Sequence, residues 1–340
     1  MLNCLPMHPR LLVSAGPELF ASFFSPAQEA RLSCLCSWER DGARSSGVMF
    51  NRRLATVDAL VTSWDSPYFG EDLLRTAPRL RIIAHCGGEV KSRFASRLFD
   101  KLTITNAADP MARATAELGA AFLIYCARDV DHYRNELRKA SNRVYSDVHK
   151  NGTVDHIAGR EVAMIGFGRV GRALVDLLRG FDLTWIVYDP FAPRTLSRQY
   201  PVVFRDLKPL LRRAQLLVLT AALTERTRGL LSRKALSLLP DGAVVINIAR
   251  GGLLDLAALT QEVRKKRLRC ALDVTDPIEP LPVNHPLRNL PGAVVTPHVA
   301  GGSRQVRRQM AETVMDDLEN FFQGKPVVNR VTRQMLQRMT

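Results

Sequence analysis

At 340 residues, with 46% hydrophobic and 24% charged side chains, the chain has the make-up of an ordinary globular protein long enough for two separate cores. No apolar run approaches a membrane span, and Met1–Arg10 carries Pro6 and Pro9 where a signal peptide would be continuously apolar, so a cytoplasmic protein is expected. The formal charge of +15 comes from basic residues spread along the chain, clustered only modestly at 134–150, 264–269 and 304–308 without interleaved aromatics, which favours a solvated basic surface over nucleic-acid binding. The six cysteines (Cys4, Cys34, Cys36, Cys86, Cys126, Cys270) form no CxxC pair and read as reduced thiols, with no metal site expected.

Over the first hundred residues, short apolar runs at Leu11–Ser14, Ala59–Thr62, Leu80–Ala84 and Leu102–Thr105 alternate with helical patterns, the signature of a small parallel α/β unit. Near Asp109-Pro110 the pattern changes to one long predicted helix, Ala112 to about Arg138. From Arg160 strands are expected near 161–166, 183–188, 202–204, 215–220, 243–248, 269–274 and 293–296. Helices fall between most of them, around 169–180, 206–213, 232–238 and 255–266, with Ser232 and Asp255 as N-caps. An amphipathic helix from Ser303 to about Gln323 should return to the first domain. The expected fold class is therefore α/β in two domains. A Rossmann-type doubly wound parallel sheet (108–302) is inserted into a smaller flavodoxin-like α/β substrate domain formed by 1–107 and 303–340.

The stretch Val162-Ala-Met-Ile-Gly-Phe-Gly-Arg-Val-Gly171 joins an apolar run to an amphipathic segment, and Asp189 closes the next apolar run. Such a strand, turn and helix holds a dinucleotide. Gly166 permits the tight turn, Gly168 lets the backbone approach a pyrophosphate, and Gly171 lets the helix pack on its strand. Phe167, Arg169 and Val170 lie in the same turn, whose helix N-terminus offers free N–H groups to the phosphates. Asp189 is positioned to accept ribose hydroxyls and to repel a 2′-phosphate, so NAD is preferred over NADP. Arg194, five residues on, reads as a loop arginine.

Three polar residues follow three successive strands. Arg250 comes after Val244–Ala249, Glu279 after Cys270–Val274, and His298 after Ala293–Pro297. Strand ends of this kind face the ligand crevice. Hydride transfer between a nicotinamide and a carbonyl needs a proton partner, which a histidine supplies near neutral pH. A glutamate beside it favours the protonated ring, and an arginine grips a carboxylate bidentately. Each residue alone has an ordinary explanation as loop or surface; the set behind a dinucleotide fingerprint points to catalysis.

With these segments in place, the chain resembles the D-isomer-specific 2-hydroxyacid dehydrogenases, which include glyoxylate and hydroxypyruvate reductases, D-lactate dehydrogenases and 3-phosphoglycerate dehydrogenases. The resemblance rests on Gly166–Gly171, Tyr188-Asp-Pro190, Leu223–Leu230, Asn247–Gly252, Leu272-Asp-Val274 with Glu279-Pro280, Thr296-Pro-His298 and Ala116-Glu117. It implies NAD(H) as cofactor, with further contacts at Thr227, Ala249 and Asp273, the last near the nicotinamide carboxamide. It also implies His298 as acid/base supported by Glu279, Arg250 on the substrate carboxylate, and a homodimer through the cofactor domains. A small 2-keto or 2-hydroxy acid is the implied substrate. Phosphoglycerate dehydrogenase-like activity is one alternative, and a non-catalytic NAD(H)-sensing protein like the C-terminal binding protein corepressors is another.

Three departures stand out. Glu279 lies six residues after Asp273 where the family has five, leaving Asp276 as a rival. Ala222 replaces a family proline. The family's substrate-carboxylate loop corresponds to His85–Lys91, where Gly87 and Gly88 offer a backbone cradle while Glu89 adds a negative charge, which Lys91 can offset.

Overall fold

The computed structural model describes residues 8–42, 48–139, 143–151 and 156–339; Cys4 lies outside them. The chain divides into two compact units, Met1–Met111 with Gly302–Thr340, and Ala112–Gly301.

The first unit is built on a six-stranded sheet of β1 (Arg10–Ser14), β2 (Ser37–Asp41), β3 (Ala59–Thr62), β4 (Ile82–His85), β5 (Thr103–Asn106) and a final strand from its C-terminal segment, Arg330–Val331. Neighbours run in the order Arg330–Val331, β5, β4, β3, β1, β2. The first five therefore have the flavodoxin-like arrangement. The sheet is mixed: Arg330–Val331 pairs antiparallel with β5, through Arg330↔Thr105 and Val331↔Ile104, whereas the sequence suggested a purely parallel unit. Leu12, Leu60, Ile83 and Ile104 are fully buried on one face of this sheet and pack with Phe69, Phe94 and Phe99. The helix Arg304–Phe322, capped by Ser303 Oγ accepting from Val306 N (3.2 Å), belongs to this unit and packs on the helices Pro17–Phe23 and Pro26–Leu35. Arg31 ties it down with ion pairs to Glu312, Asp316 and Glu319 at 2.6–2.9 Å.

The second unit carries β6 (Glu161–Ile165), β7 (Thr184–Tyr188), β8 (Val202–Phe204), β9 (Leu216–Leu219), β10 (Val244–Asn247), β11 (Arg269–Leu272) and β12 (Ala293–Val295). All pairs are parallel, in the order β12-β11-β10-β9-β6-β7-β8. The order reverses between β6 and β9, the switch point where such sheets open a crevice at their carboxyl ends. Side chains alternate between two apolar layers. Val162, Met164, Val244 and Ile246 enter one, and Ala163, Ile165 and Val245 enter the other, as buried parallel strands require. Ser232 and Asp255 cap their helices, accepting from Ala235 N (3.4 Å) and Ala258 N (2.8 Å).

The long helix differs from expectation. It spans Ala108–Ala127, and a second helix, Val130–Leu137, follows Asp129 in the left-handed region at φ 50°. Pro110 falls in the first turn, where its missing N–H has no intrahelical partner to lose. Among the described residues no helix is long and apolar enough to cross a membrane.

Candidate active site

The glycine turn after β6 is dictated by what surrounds it. Gly166 has φ 92°, and a Cβ there would lie 2.5 Å from Ala221 Cα, so no other residue fits the approach to the loop after β9. A Cβ on Gly171 would meet Met164 Sδ at 2.9 Å and the Gly166 carbonyl at 3.0 Å, which keeps the helix Arg169–Leu177 close to its strand. Gly168, the N-cap of that helix, is exposed and has no heavy atom within 4 Å of its Cβ position. The amides of Arg169 and Val170 at the start of this helix have no intrahelical acceptors. Open space beside such a terminus is what a pyrophosphate requires, and the turn fits a dinucleotide.

Within the turn the expected roles separate. Phe167 is buried, its ring edge-on to Tyr200 (5.3 Å) and Phe204 (6.0 Å), and its amide donates to Asp189 Oδ2 (2.7 Å). Asp189 Oδ1 accepts from Phe191 N (2.8 Å) and Ala192 N (3.0 Å). Asp189 thus fastens the glycine turn to the end of β7, keeping its charge in place with lone-pair capacity left for a ribose. Arg194 lies over the Phe204 ring, 4.6 Å from its centroid.

At the ends of β10, β11 and β12 three loops converge. His298 Nδ1 is 2.8 Å from Glu279 Oε2, with both side chains partly exposed. A carboxylate partner fixes the proton on Nδ1, so Nε2 is the exchangeable nitrogen. Glu279 Oε1 in turn accepts from Thr275 N (3.0 Å), and Thr275 Oγ1 donates to Ile278 O (2.7 Å). This small closed turn absorbs the additional residue and aims Glu279 at the ring. Asp276 points elsewhere, its carboxylate 4.0 Å from Arg228 Nη1.

His298 has φ 56°, a left-handed backbone costly for a side chain with a Cβ. Asp273 holds it there. The buried carboxylate accepts from Thr296 Oγ1 (2.6 Å), Val299 N (2.9 Å) and Ala300 N (3.0 Å), and the Asp273 carbonyl accepts from His298 N (2.9 Å). Asp273 therefore spends its hydrogen bonds on the histidine loop, a positioning task that sequence reasoning missed.

Arg250 stands on a turn fixed by fully buried Asn247, whose Nδ2 donates to Arg250 O (2.9 Å) and whose Oδ1 accepts from Ala249 N (3.0 Å). Arg250 Nη1 donates to the Ala249 carbonyl (2.7 Å). The next residue, Gly251, abuts the glutamate loop: a Cβ there would be 2.1 Å from the carbonyl carbon of Thr275. Thr227 is occupied locally, its hydroxyl donating to Ala222 O (2.7 Å) and accepting from Thr224 N (2.7 Å). Asn247, Gly251 and Thr275 carried no catalytic signal of their own; only their places beside Arg250 and Glu279 mark them.

In the first unit the Gly87-Gly88 turn follows β4. Gly87 O accepts from Ala107 N (2.9 Å) and Gly88 O from Asn106 Nδ2 (2.8 Å), while the amides of Gly88 and Glu89 have no acceptor among the described residues. Glu89 folds back, accepting from Ser92 N (2.7 Å) and Ser92 Oγ (2.6 Å) with Arg93 at 3.9 Å, so its charge is satisfied within its own loop. Lys91 is exposed.

Beneath this turn His85 is fully buried, its Nδ1 2.9 Å from Thr62 Oγ1. Burial, with Arg93 nearby, lowers its pKa to about 3 and keeps the ring neutral. The unfolded chain protonates this ring near 6.5, so between that value and 3 only the unfolded state takes up the proton. Stability is full above 6.5 and falls with pH by about 1.4 kcal/mol per pH unit. Urea unfolding should lose about 2.7 kcal/mol from this residue alone on going to roughly pH 4.5, and His85→Gln should remove that part of the slope. An unaltered slope in the variant would contradict a neutral buried ring.

Among the described residues no group of three or more His, Cys, Asp or Glu side chains is arranged to hold a metal ion.

Residues 120–300 match the profile of the D-isomer specific 2-hydroxyacid dehydrogenase, NAD binding domain. The chain is 30% identical to glyoxylate reductase of Aeropyrum pernix over 271 residues, 78% of this chain and 80% of that protein. Its fold is similar to that of a phosphoglycerate oxidoreductase from Rhizobium etli (TM-score 0.79, 24% identity, covering 95% of this chain and 98% of the other). It is also similar to a D-isomer specific 2-hydroxyacid dehydrogenase from Xanthobacter autotrophicus Py2, solved with NADPH and MES (TM-score 0.70, 22% identity, covering 97% and 100%).

Proposed function

This chain belongs to the D-isomer specific 2-hydroxyacid dehydrogenase family of NAD(P)-dependent oxidoreductases acting on CH–OH donors, and from that premise we propose that it interconverts small 2-keto acids and D-2-hydroxy acids with NAD(H). The observation that carries the reading is the His298–Glu279 hydrogen bond at a strand end of a dinucleotide-binding sheet. A bound reduced nicotinamide supplies the hydride. His298 Nε2 delivers the proton to the carbonyl oxygen, and in the reverse direction takes it from the hydroxyl. Glu279 holds the ring's orientation and stabilises its cationic form. Arg250 grips the substrate carboxylate and polarises the carbonyl. The free amides of Gly88 and Glu89 give the first unit its own means of binding a carboxylate.

Depletion of NADH absorbance with glyoxylate, hydroxypyruvate, pyruvate and 2-ketobutyrate tests the reading. Turnover of any of them, lost in His298→Ala, is the expected result; NADH binding without turnover of any would turn attention to NAD(H) sensing.

NADH is the proposed coenzyme because three backbone amides hold the Asp189 carboxylate at the end of β7, where a 2′-phosphate would meet it, with Arg194 engaged on Phe204. Asp189→Ser is expected to narrow the preference for NADH over NADPH by about tenfold or more, read as the ratio of kcat/KM values. An unchanged ratio would remove Asp189 from the discrimination. The homodimer is proposed to form through the second unit, where Val130 and Leu137 of the helix Val130–Leu137 are exposed.

A further inference from the structure

Beside the Gly87 turn the first unit holds a cation that its own carboxylates do not neutralise. Trp64 follows β3, and its Nε1 lies 2.9 Å from the point where a Cβ on Gly87 would sit; His85 Nε2, buried and without a partner, lies 2.3 Å from the same point. Phe23 meets the indole edge-on at 5.1 Å, and Arg307 lays its guanidinium over the ring, 5.0 Å from the centroid. The indole is therefore fixed between an aromatic edge and a cation, with its N–H end at the glycine turn.

Arg307 is half-buried and served by neutral groups. Its Nη1 donates to Ser22 Oγ (3.0 Å), its Nε is buried without a partner, and no carboxylate of the described residues lies within 4.0 Å. Arg31, packed against the same helix, shows the contrast with its three acidic partners. A guanidinium withdrawn from water without a counter-charge is costly, and an anion arriving beside it offsets that cost.

We propose that Arg307 is a specificity-determining residue that, with Trp64 as its platform, receives a second anionic group on the substrate. The preferred substrates are then 2-keto acids carrying a distal carboxylate or phosphate, with the C1 carboxylate on the Gly88 and Glu89 amides of the adjoining glycine turn. This rests on the 2-keto acid reading above.

The test compares 2-ketoglutarate and 3-phosphohydroxypyruvate with 2-ketobutyrate in the wild type, Arg307→Gln and Arg307→Lys. The ratio of kcat/KM for the doubly charged acid to that for 2-ketobutyrate should fall about tenfold or more in Arg307→Gln, chiefly through KM, and be largely restored in Arg307→Lys. Loss confined to one of the two acids identifies carboxylate or phosphate as the group recognised. Arg307→Met, which keeps the stem over the indole, gives the same reading if the glutamine variant does not fold. An unchanged ratio overturns the proposal. Calorimetric binding of the same acids to the NADH complex separates the two levels. Doubly charged acids that bind through Arg307 without being reduced uphold the subsite and sink only the reductase reading; no such binding in the wild type overturns the subsite.

Discussion

His298→Ala is expected to lower kcat by about a thousandfold or more while NADH still binds with an affinity close to that of the wild type. The size follows from how the proton is handled. Nδ1 is committed to Glu279 at 2.8 Å, so Nε2 alone exchanges with the substrate oxygen. Water entering the vacated space has neither the fixed position nor a matched pKa. The cofactor turn is unaffected, because Gly166–Gly171 is held by Asp189 and by packing on the loop after β9. Glu279→Gln should cost less, about ten- to a hundredfold, since an amide oxygen still accepts from Nδ1 but no longer stabilises a positive ring. Stopped-flow NADH binding with steady-state turnover checks both variants. A His298→Ala enzyme with kcat near that of the wild type would take the acid/base role away from this residue.

The same geometry shows which parts of the molecule the sequence discloses. The central strands of the second sheet were legible because parallel strands buried on both faces read as uninterrupted apolar runs, such as Leu216–Leu219 and Val244–Asn247, and the edge strands Val202–Phe204 and Ala293–Val295 stand out as short apolar runs although they are only partly buried. Ser37–Asp41 was not, because it is an edge strand of polar residues whose pairing with β1 depends on the backbone. Arg330–Val331 is too short to carry a period. The long helix starts ahead of the expected boundary because Pro110 sits in its first turn, and it ends at Ala127 because Asp129, a short polar residue that tolerates the left-handed region, breaks the apolar pattern's continuation. At the site, the strand-end positions of Arg250, Glu279 and His298 could be counted along the chain. Supporting contacts could not. Asp273 holds the His298 turn through main-chain amides, and Glu89 is satisfied by its own loop, arrangements for which residue type gives no sign.

Gly251→Ala is expected to be the most damaging small substitution in the loops carrying Arg250 and Glu279. A methyl group there would lie 2.1 Å from the Thr275 carbonyl carbon, 2.3 Å from its oxygen and 2.6 Å from Asp276 N. All three are backbone atoms, so no rotamer change relieves the overlap and one loop must move. The displaced atoms belong to the turn in which Thr275 N holds Glu279 Oε1, and the alanine sits next to Arg250. Overpacking of this kind costs about 1–3 kcal/mol of stability. Misplacing the groups that orient the histidine and grip the carboxylate should cost a further hundredfold or so in kcat/KM. Two readouts separate these effects. Thermal unfolding reports the packing cost, and turnover measured well below the unfolding midpoint reports the catalytic one. A variant that is destabilised yet fully active when folded would show that the two loops tolerate separation, and the tight Gly251–Thr275 contact would then serve folding alone.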